Sequence, residues 1–169
     1  MSDIVVRRVE DSDGALLKRI RLRALVTDPA SFGSTYEREA AFPDETWAGR
    51  AARSAAGDDA MTLLAMRGDE SVGLFTAIRD GSQRELFHGV EMFVAPEARR
   101  RGIARRLLSD IEGWIAACGG TIVRLSVTST ATAARQLYES AGYAPDGSSA
   151  GSRHTSGLIE ISLRKELGT

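Results

Sequence analysis

The sequence predicts an α/β (α+β) fold: one domain over residues 1–169, with a mixed, mostly antiparallel twisted sheet of about six or seven strands and about four flanking helices. Three observations carry this expectation. Apolar runs with strand character appear once, then three in succession, then interleaved with helical segments. Residues 102–118 set Ile103, Leu107, Leu108, Ile111, Ile115 and Cys118 on one helical face, with Trp114 beside them. No repeat and no linker-like stretch interrupts the chain.

Residues 4–9 are a short β-branched run and form the first expected strand. Asp11-Ser12-Asp13 then offers oxygens for a helix N-cap, and Leu16, Leu17, Ile20 and Ala24 follow at helical spacing. Thr27-Asp28-Pro29 stops that helix, because proline disfavours a helical residue before it. Residues 30–43 have no clear period and read as a loop with room for a turn of helix, carrying Phe32, Tyr36 and Phe42. A short helix over 44–56 ends near Gly57-Asp58.

Residues 61–67 and 71–78 are strands joined by a tight hairpin at Gly68-Asp69-Glu70. A polar turn over 80–84 leads to a strand over 87–94, which Pro96 ends. Gly119-Gly120 terminates the long helix. A strand over 122–127 precedes a helix over 132–141, with Thr130 as its expected cap and Gly142 closing it. Tyr143 opens a short strand, and the Gly- and Ser-rich stretch 146–157 reads as a loop. Residues 158–164 alternate, with Ile159, Ile161 and Leu163 on one side of a half-buried strand.

Composition narrows the function. Apolar residues make up 43% and charged residues 27%, and 22 basic against 23 acidic residues leave a formal net charge of -1. That balance disfavours nucleic acid as a partner. No apolar run reaches the roughly 18 residues that would suggest a membrane span. The start, MSDIVVRRVED, does not read as a signal peptide. The lone Cys118 precludes an internal disulfide and continues the apolar helix face, so it reads as a small core residue in a cytoplasmic protein. No metal is expected.

The chemistry concentrates where the strand over 87–94 hands over to the long helix. The first turn of a helix carries amides without intrahelical partners, and the helix dipole adds positive charge there. Small residues at Gly102 and Ala104 let a phosphate approach those amides. Arg99, Arg100, Arg101, Arg105 and Arg106 surround the helix start with positive charge. This pattern suits an anion such as a diphosphate; it also fits a solvated arginine cluster with a glycine that relieves crowding.

Arg99-x-x-Gly102-x-Ala104 resembles the Gln/Arg-x-x-Gly-x-Gly/Ala signature of the GNAT acetyltransferases. The Val94-x-Pro96 step before it and Leu107-Leu108 after it fit as well. Ala134-Arg135-Gln136-Leu137-Tyr138-Glu139-Ser140-Ala141-Gly142-Tyr143 is similar to the family's later A-x-x-L-Y-E-x-x-G-F/Y segment. Both motifs stand in the family's order. The likeness covers about a third of the chain by motif and nearly all of it by element order.

The resemblance implies an N-acetyltransferase that moves an acetyl group from acetyl-CoA to an amine. Main-chain groups of Met92, Phe93 and Val94 would pair with the pantetheine arm like an added strand. Amides of Arg99, Arg100, Arg101, Gly102, Ile103, Ala104 and Arg105 would cradle the pyrophosphate. Tyr138 would protonate the departing thiolate, and Glu91 or His88 would accept the amine proton, with ordered water as the alternative. Regular alternation puts Glu91 and His88 on opposite faces, and a bulge would change that count. Many relatives carry an asparagine where this chain has Ala131, with Ser129 and Thr130 as neighbouring substitutes.

Phe32, Tyr36 and Trp47 are candidate lining residues of the acceptor pocket, or core aromatics. The stretch from Arg21 to Thr35 resembles a subgroup of bacterial family members with mostly unassigned acceptors. The leading acceptor class is a small-molecule amine. The alternatives are a protein N-terminus or lysine, and a non-catalytic acyl-CoA sensor. Whether the chain is a monomer or a homodimer stays open.

Overall fold

In the computed structural model, which describes residues 3–151 and 159–168, seven strands form one sheet in the order β1-β2-β3-β4-β5-β7-β6. The strands are β1 (Ile4–Arg8), β2 (Ala60–Arg67), β3 (Glu70–Arg79), β4 (Leu86–Val94), β5 (Ile122–Thr128), β6 (Ala144–Gly151) and β7 (Ile159–Glu166). Every neighbouring pair is antiparallel except β4 and β5. A parallel pair needs a long crossover, and α4 (Ile103–Ala117) supplies it.

The apolar face of α4 packs across β2, β3 and β4. Its Trp114 meets Phe87 of β4 edge-on, with ring centroids 5.4 Å apart. The opposite face of the sheet is covered by α1 (Gly14–Thr27) and α3 (Asp44–Ala56). Burial from both sides explains why β2 and β3 read as continuous apolar runs rather than alternating ones. The polar exceptions in those runs, Thr62 and Thr76, are buried as well and bear on the site.

The stretch 30–43 does hold helical turns, as the sequence allows: a 3-10 turn, Pro29–Ser31, and a short helix α2, Tyr36–Ala40. The Thr35 hydroxyl accepts from the Arg38 amide and starts α2, a short-range capping bond in a segment with no apolar period. With α5 (Thr132–Ser140) the helices number five among the described residues, in line with the expected four or so. The residue before α5 is Ala131, without a side-chain cap, so Thr130 is not the cap.

Part of the Gly- and Ser-rich stretch 146–157 is strand. Asp146 to Gly151 belong to β6 and pair with β7 across a bulge. Asp146 supplies the reason. Its carboxylate accepts from the Ser148 hydroxyl and amide and from the Ser162 hydroxyl of β7 at 2.7 Å. Those bonds, and the Arg124 charge, hold its carboxyl down at about 2. Local polar bonding thus ties together a segment whose composition suggests none. The remainder, 152–158, lies outside the described residues.

Candidate active site

β4 and β5 pair only from Leu86 to Gly89 on one side and Ile122 to Leu125 on the other. Beyond that point they part. Gly89 stands at the last paired position: a Cβ there would lie 2.2 Å from Leu125 Cδ2 and 2.8 Å from Phe75 Cζ, so the leucine and phenylalanine fill the floor where a side chain would stand. The edge of β4 facing the gap has no strand partner among the described residues, while its other edge stays bonded to β3. The result is a cleft of about 630 Å³ between the two strands, closed at its far side by α5.

The cleft runs from Glu91, Met92, Phe93 and Val94 on β4 to Ala131, Ala134 and Tyr138 on and before α5. Its mouth reaches Arg99, Arg100 and Ala104, where a second hollow surrounds the start of α4 with Gly102, Ile103 and Arg105. Gly102 caps α4 in the left-handed region, φ 75°, and a Cβ there would meet nothing within 4 Å. Glycine is thus favoured by the backbone rather than by crowding, which corrects the simpler sequence reading. Arg101 lines neither hollow. Arg99 is partly committed: its Nε donates to the Val94 carbonyl at 2.8 Å and its Nη2 to Asp28 at 2.8 Å.

A bulge decides the disposition of Glu91. Val90 pairs with Thr76 and Phe93 with Leu74, so Glu91 and Met92 together oppose Phe75. Glu91 takes a positive φ of 63°, uncommon for a residue with a side chain. The kink turns its carboxylate to the face that carries Thr76, whose hydroxyl donates to Glu91 Oε2 at 3.1 Å. Thr76 bonds Thr62 at 2.8 Å, and Thr62 bonds Ser54 of α3 at 3.0 Å. The Arg21 Nε lies 3.6 Å from Glu91 Oε1.

His88 and Glu91 therefore do not fall on opposite faces, as unbroken alternation predicts. His88 shares the Thr76 face, two residues before Val90. It nevertheless lines neither the cleft nor the cavity beneath Glu91, and its Nε2 sits 2.9 Å from the Asp80 carboxylate. That contact and the amides of Gln83 and Ser82 hold the Asp80 carboxyl at about 2.

Tyr138 is buried in the cleft wall, and its ring meets Tyr143 edge-on at 6.0 Å. Burial pushes its phenol above the ordinary tyrosine range, so the hydroxyl keeps its proton. Among the aromatic candidates, Phe32 lines the cleft. Trp47 is buried beside the cavity under Glu91, and Tyr36 is exposed away from both.

That second cavity, of about 280 Å³, opens between α1, α3 and the sheet. Glu91 lines both spaces and is the residue their walls share. Sequence reading missed Arg21, Glu39, Arg50, Thr62 and Thr76 around it. Its available signal was polarity out of place: hydroxyls inside two apolar strand runs and an arginine on the apolar side of α1. Arg21 and Glu39 are both buried and joined by two hydrogen bonds, of 3.0 and 2.9 Å. Burial by itself pushes the Glu39 carboxyl up, but the bonds and charge of Arg21 outweigh it and leave the carboxyl lowered.

Glu39→Gln is therefore expected to cost about 3 kcal/mol, because it leaves the buried Arg21 charge with only its longer contact to Glu91. Since the folded carboxyl is lowered, Glu39 contributes its stability above the unfolded-state value and loses it as pH falls. Urea unfolding should accordingly give a wild-type advantage at neutral pH that shrinks on acidification. An advantage independent of pH would contradict the ion-pair account.

A family model described as an acetyltransferase (GNAT) domain matches residues 32–161. The chain belongs to the GNAT acetyltransferase family. Its fold is also that of solved family structures. A GNAT-family acetyltransferase from Streptococcus pneumoniae superposes with a TM-score of 0.84 at 22% identity, covering 98% of this chain and 100% of that one. The Salmonella typhimurium protein YncA, solved with its cofactor acetyl-CoA, gives 0.81 at 16% identity over 99% and 96%. The PaiA N-acetyltransferase from Thermoplasma acidophilum, solved with coenzyme A, gives 0.77 at 17% identity over 98% and 99%. A search of curated proteins found no sequence match. Among the described residues no helix is long and apolar enough to cross a membrane, and no group of three or more His, Cys, Asp or Glu could hold a metal ion.

Proposed function

We propose that this GNAT acetyltransferase moves an acetyl group from acetyl-CoA directly to a primary amine on a small molecule. The carrying observation is the parted pair β4/β5, whose open main-chain edge leads straight to the bare amides at the start of α4. An extended amide-bearing arm fits the edge as a further strand would, and a diphosphate fits the helix start. Met92 and Phe93 offer main-chain groups to the arm; the Val94 carbonyl is already taken by Arg99. Arg100, Gly102, Ile103, Ala104 and Arg105 surround the diphosphate position. Ala131 brings no side-chain amide, so Thr130 and Thr132 are the polar groups beside it on the cleft wall.

Bound acetyl-CoA supplies the activated acyl group as a thioester. The chain supplies the rest. The Glu91 carboxylate accepts a proton from the acceptor ammonium, which frees the nitrogen lone pair. The new C–N bond forms as the C–S bond breaks. The Tyr138 hydroxyl donates a hydrogen bond to the sulfur as it gains charge. The nitrogen's second proton, released on amide formation, ends on that sulfur through the phenol. His88, bonded to Asp80 away from both spaces, holds the sheet rather than the proton. The small volume beneath Glu91 favours a small acceptor over a protein chain.

Gly102→Glu tests the cofactor assignment. It places a side chain on a left-handed residue and a negative charge at the anion position, so calorimetric affinity for coenzyme A should fall at least tenfold, equivalent to about 1.4 kcal/mol. Unchanged affinity in a folded variant would remove the helix start from the binding site.

A further inference from the structure

The cavity beneath Glu91 carries an ordered run of charge. Glu91 lies 3.6 Å from Arg21, Arg21 is doubly bonded to Glu39, and Glu39 lies 3.5 Å from Arg50. Signs alternate along the run, so its interior charges cancel, and it ends in a negative group at Glu91 and a positive one at Arg50. The third arginine of the wall, Arg53, is neutralised by two bonds to Asp59 at 3.0 and 2.9 Å.

Arg50 is the unusual member. Its guanidinium lies over Trp47 at 4.9 Å and Phe42 at 5.3 Å. Among the described residues its side chain makes no hydrogen bond, and its ion pair with Glu39, at 3.5 Å, is longer than an ordinary one. Stacking fixes the plane of the guanidinium, and the long contact of Nη1 with Glu39 leaves the rest of its fork for a second carboxylate. Two buried donors without partners, Trp47 Nε1 and Arg21 Nη1, belong to side chains of the same wall. Among the described residues neither donor has a hydrogen-bond partner, which leaves this wall richer in unused donors than native interiors usually are.

We infer that this cavity is the acceptor site and that its acceptor is a small zwitterion, a primary amine carrying a carboxylate, with the amine at Glu91 and the carboxylate on Arg50. The inference rests on the acetyl-transfer reading above and adds the substrate class. A cavity of about 280 Å³ has room for both charged ends of one small molecule. The covalent step is unchanged: one ammonium proton goes to Glu91, the C–N bond forms, the C–S bond breaks and coenzyme A leaves as the thiol.

The test uses the full chain, acetyl-CoA and matched acceptor sets: the common α-amino acids, their C-terminal amides and their decarboxylated amines. Release of coenzyme A thiol is followed. The carboxylate form of at least one set should exceed its two partners in kcat/KM by roughly tenfold or more, the range of a hydrogen bond between charged groups. Arg50→Gln should raise KM for that acid by a similar factor, erase the preference, and leave KM for acetyl-CoA in place. Arg50→Lys, which keeps the charge but not the fork, should fall between. Equal or better turnover of amides or decarboxylated amines would overturn the inference while acetyl transfer stands. A preference that survives Arg50→Gln in a folded variant would overturn it as well. If no amine is acetylated although acetyl-CoA binds, the acetyl-transfer reading fails. Calorimetry of the same amino acids with coenzyme A-loaded protein then decides the site: Arg50-dependent binding supports it, and no binding overturns it.

Discussion

Tyr138→Phe is expected to slow acetyl transfer by roughly one hundred- to ten-thousandfold in kcat, the span typical of a lost general acid, while acetyl-CoA binds as before. The residue sits in the cleft wall at 5% exposure, so the ring remains as packing and only the hydroxyl is lost. Burial raises its pKa, which fixes what the hydroxyl does. A phenol held protonated is a strong donor toward a sulfur that is becoming a thiolate, and a poor permanent source of the proton. The deficit should therefore depend on the leaving thiol: it should be smaller for an acetyl donor whose thiol is more acidic. Steady-state rates with two such thioesters would test this. Equal turnover by wild type and Tyr138→Phe would end the assignment.

Glu91→Gln is expected to reduce kcat/KM by a comparable factor, about a hundredfold or more, by removing the proton acceptor while keeping the side-chain shape. The glutamine can still take the hydrogen bond from Thr76 and can fit the same positive-φ bulge. Its loss should narrow with rising pH, because more of the acceptor is then already neutral. The narrowing should centre near the amine's own pKa, about 8 for an α-amino group and about 10 for an alkyl amine. A pH-independent deficit would mean that Glu91 binds the ammonium rather than deprotonating it. No deficit at any pH would leave ordered water as the base.

The legible part of this protein was local. The amphipathic period of α4, the hairpin turn between β2 and β3 and the Arg99-x-x-Gly102-x-Ala104 step are all set by residues within a few positions of one another. Each announces itself through a helical stripe, a strained backbone angle or a helix start. The same locality made Met92, Phe93, Gly102, Ala104 and Tyr138 nameable in advance, and all of them line the cleft or the hollow at the start of α4. It also misled, since polar composition suggested a loop where Asp146 binds partners from β5 and β7.

Sequence alone thus determined the order of strands and helices, the helix whose first turn is bare, and the family. Only the tertiary structure decided which face Glu91 serves and what surrounds it. That depended on a two-residue bulge opposite Phe75 and on Arg21, Glu39 and Arg50 meeting from three separate helices. The physical reason is range. Hydrophobic periodicity and backbone strain are written into neighbouring residues. A buried charge is acceptable only through partners brought from afar, and those partners are known once the chain has closed upon itself.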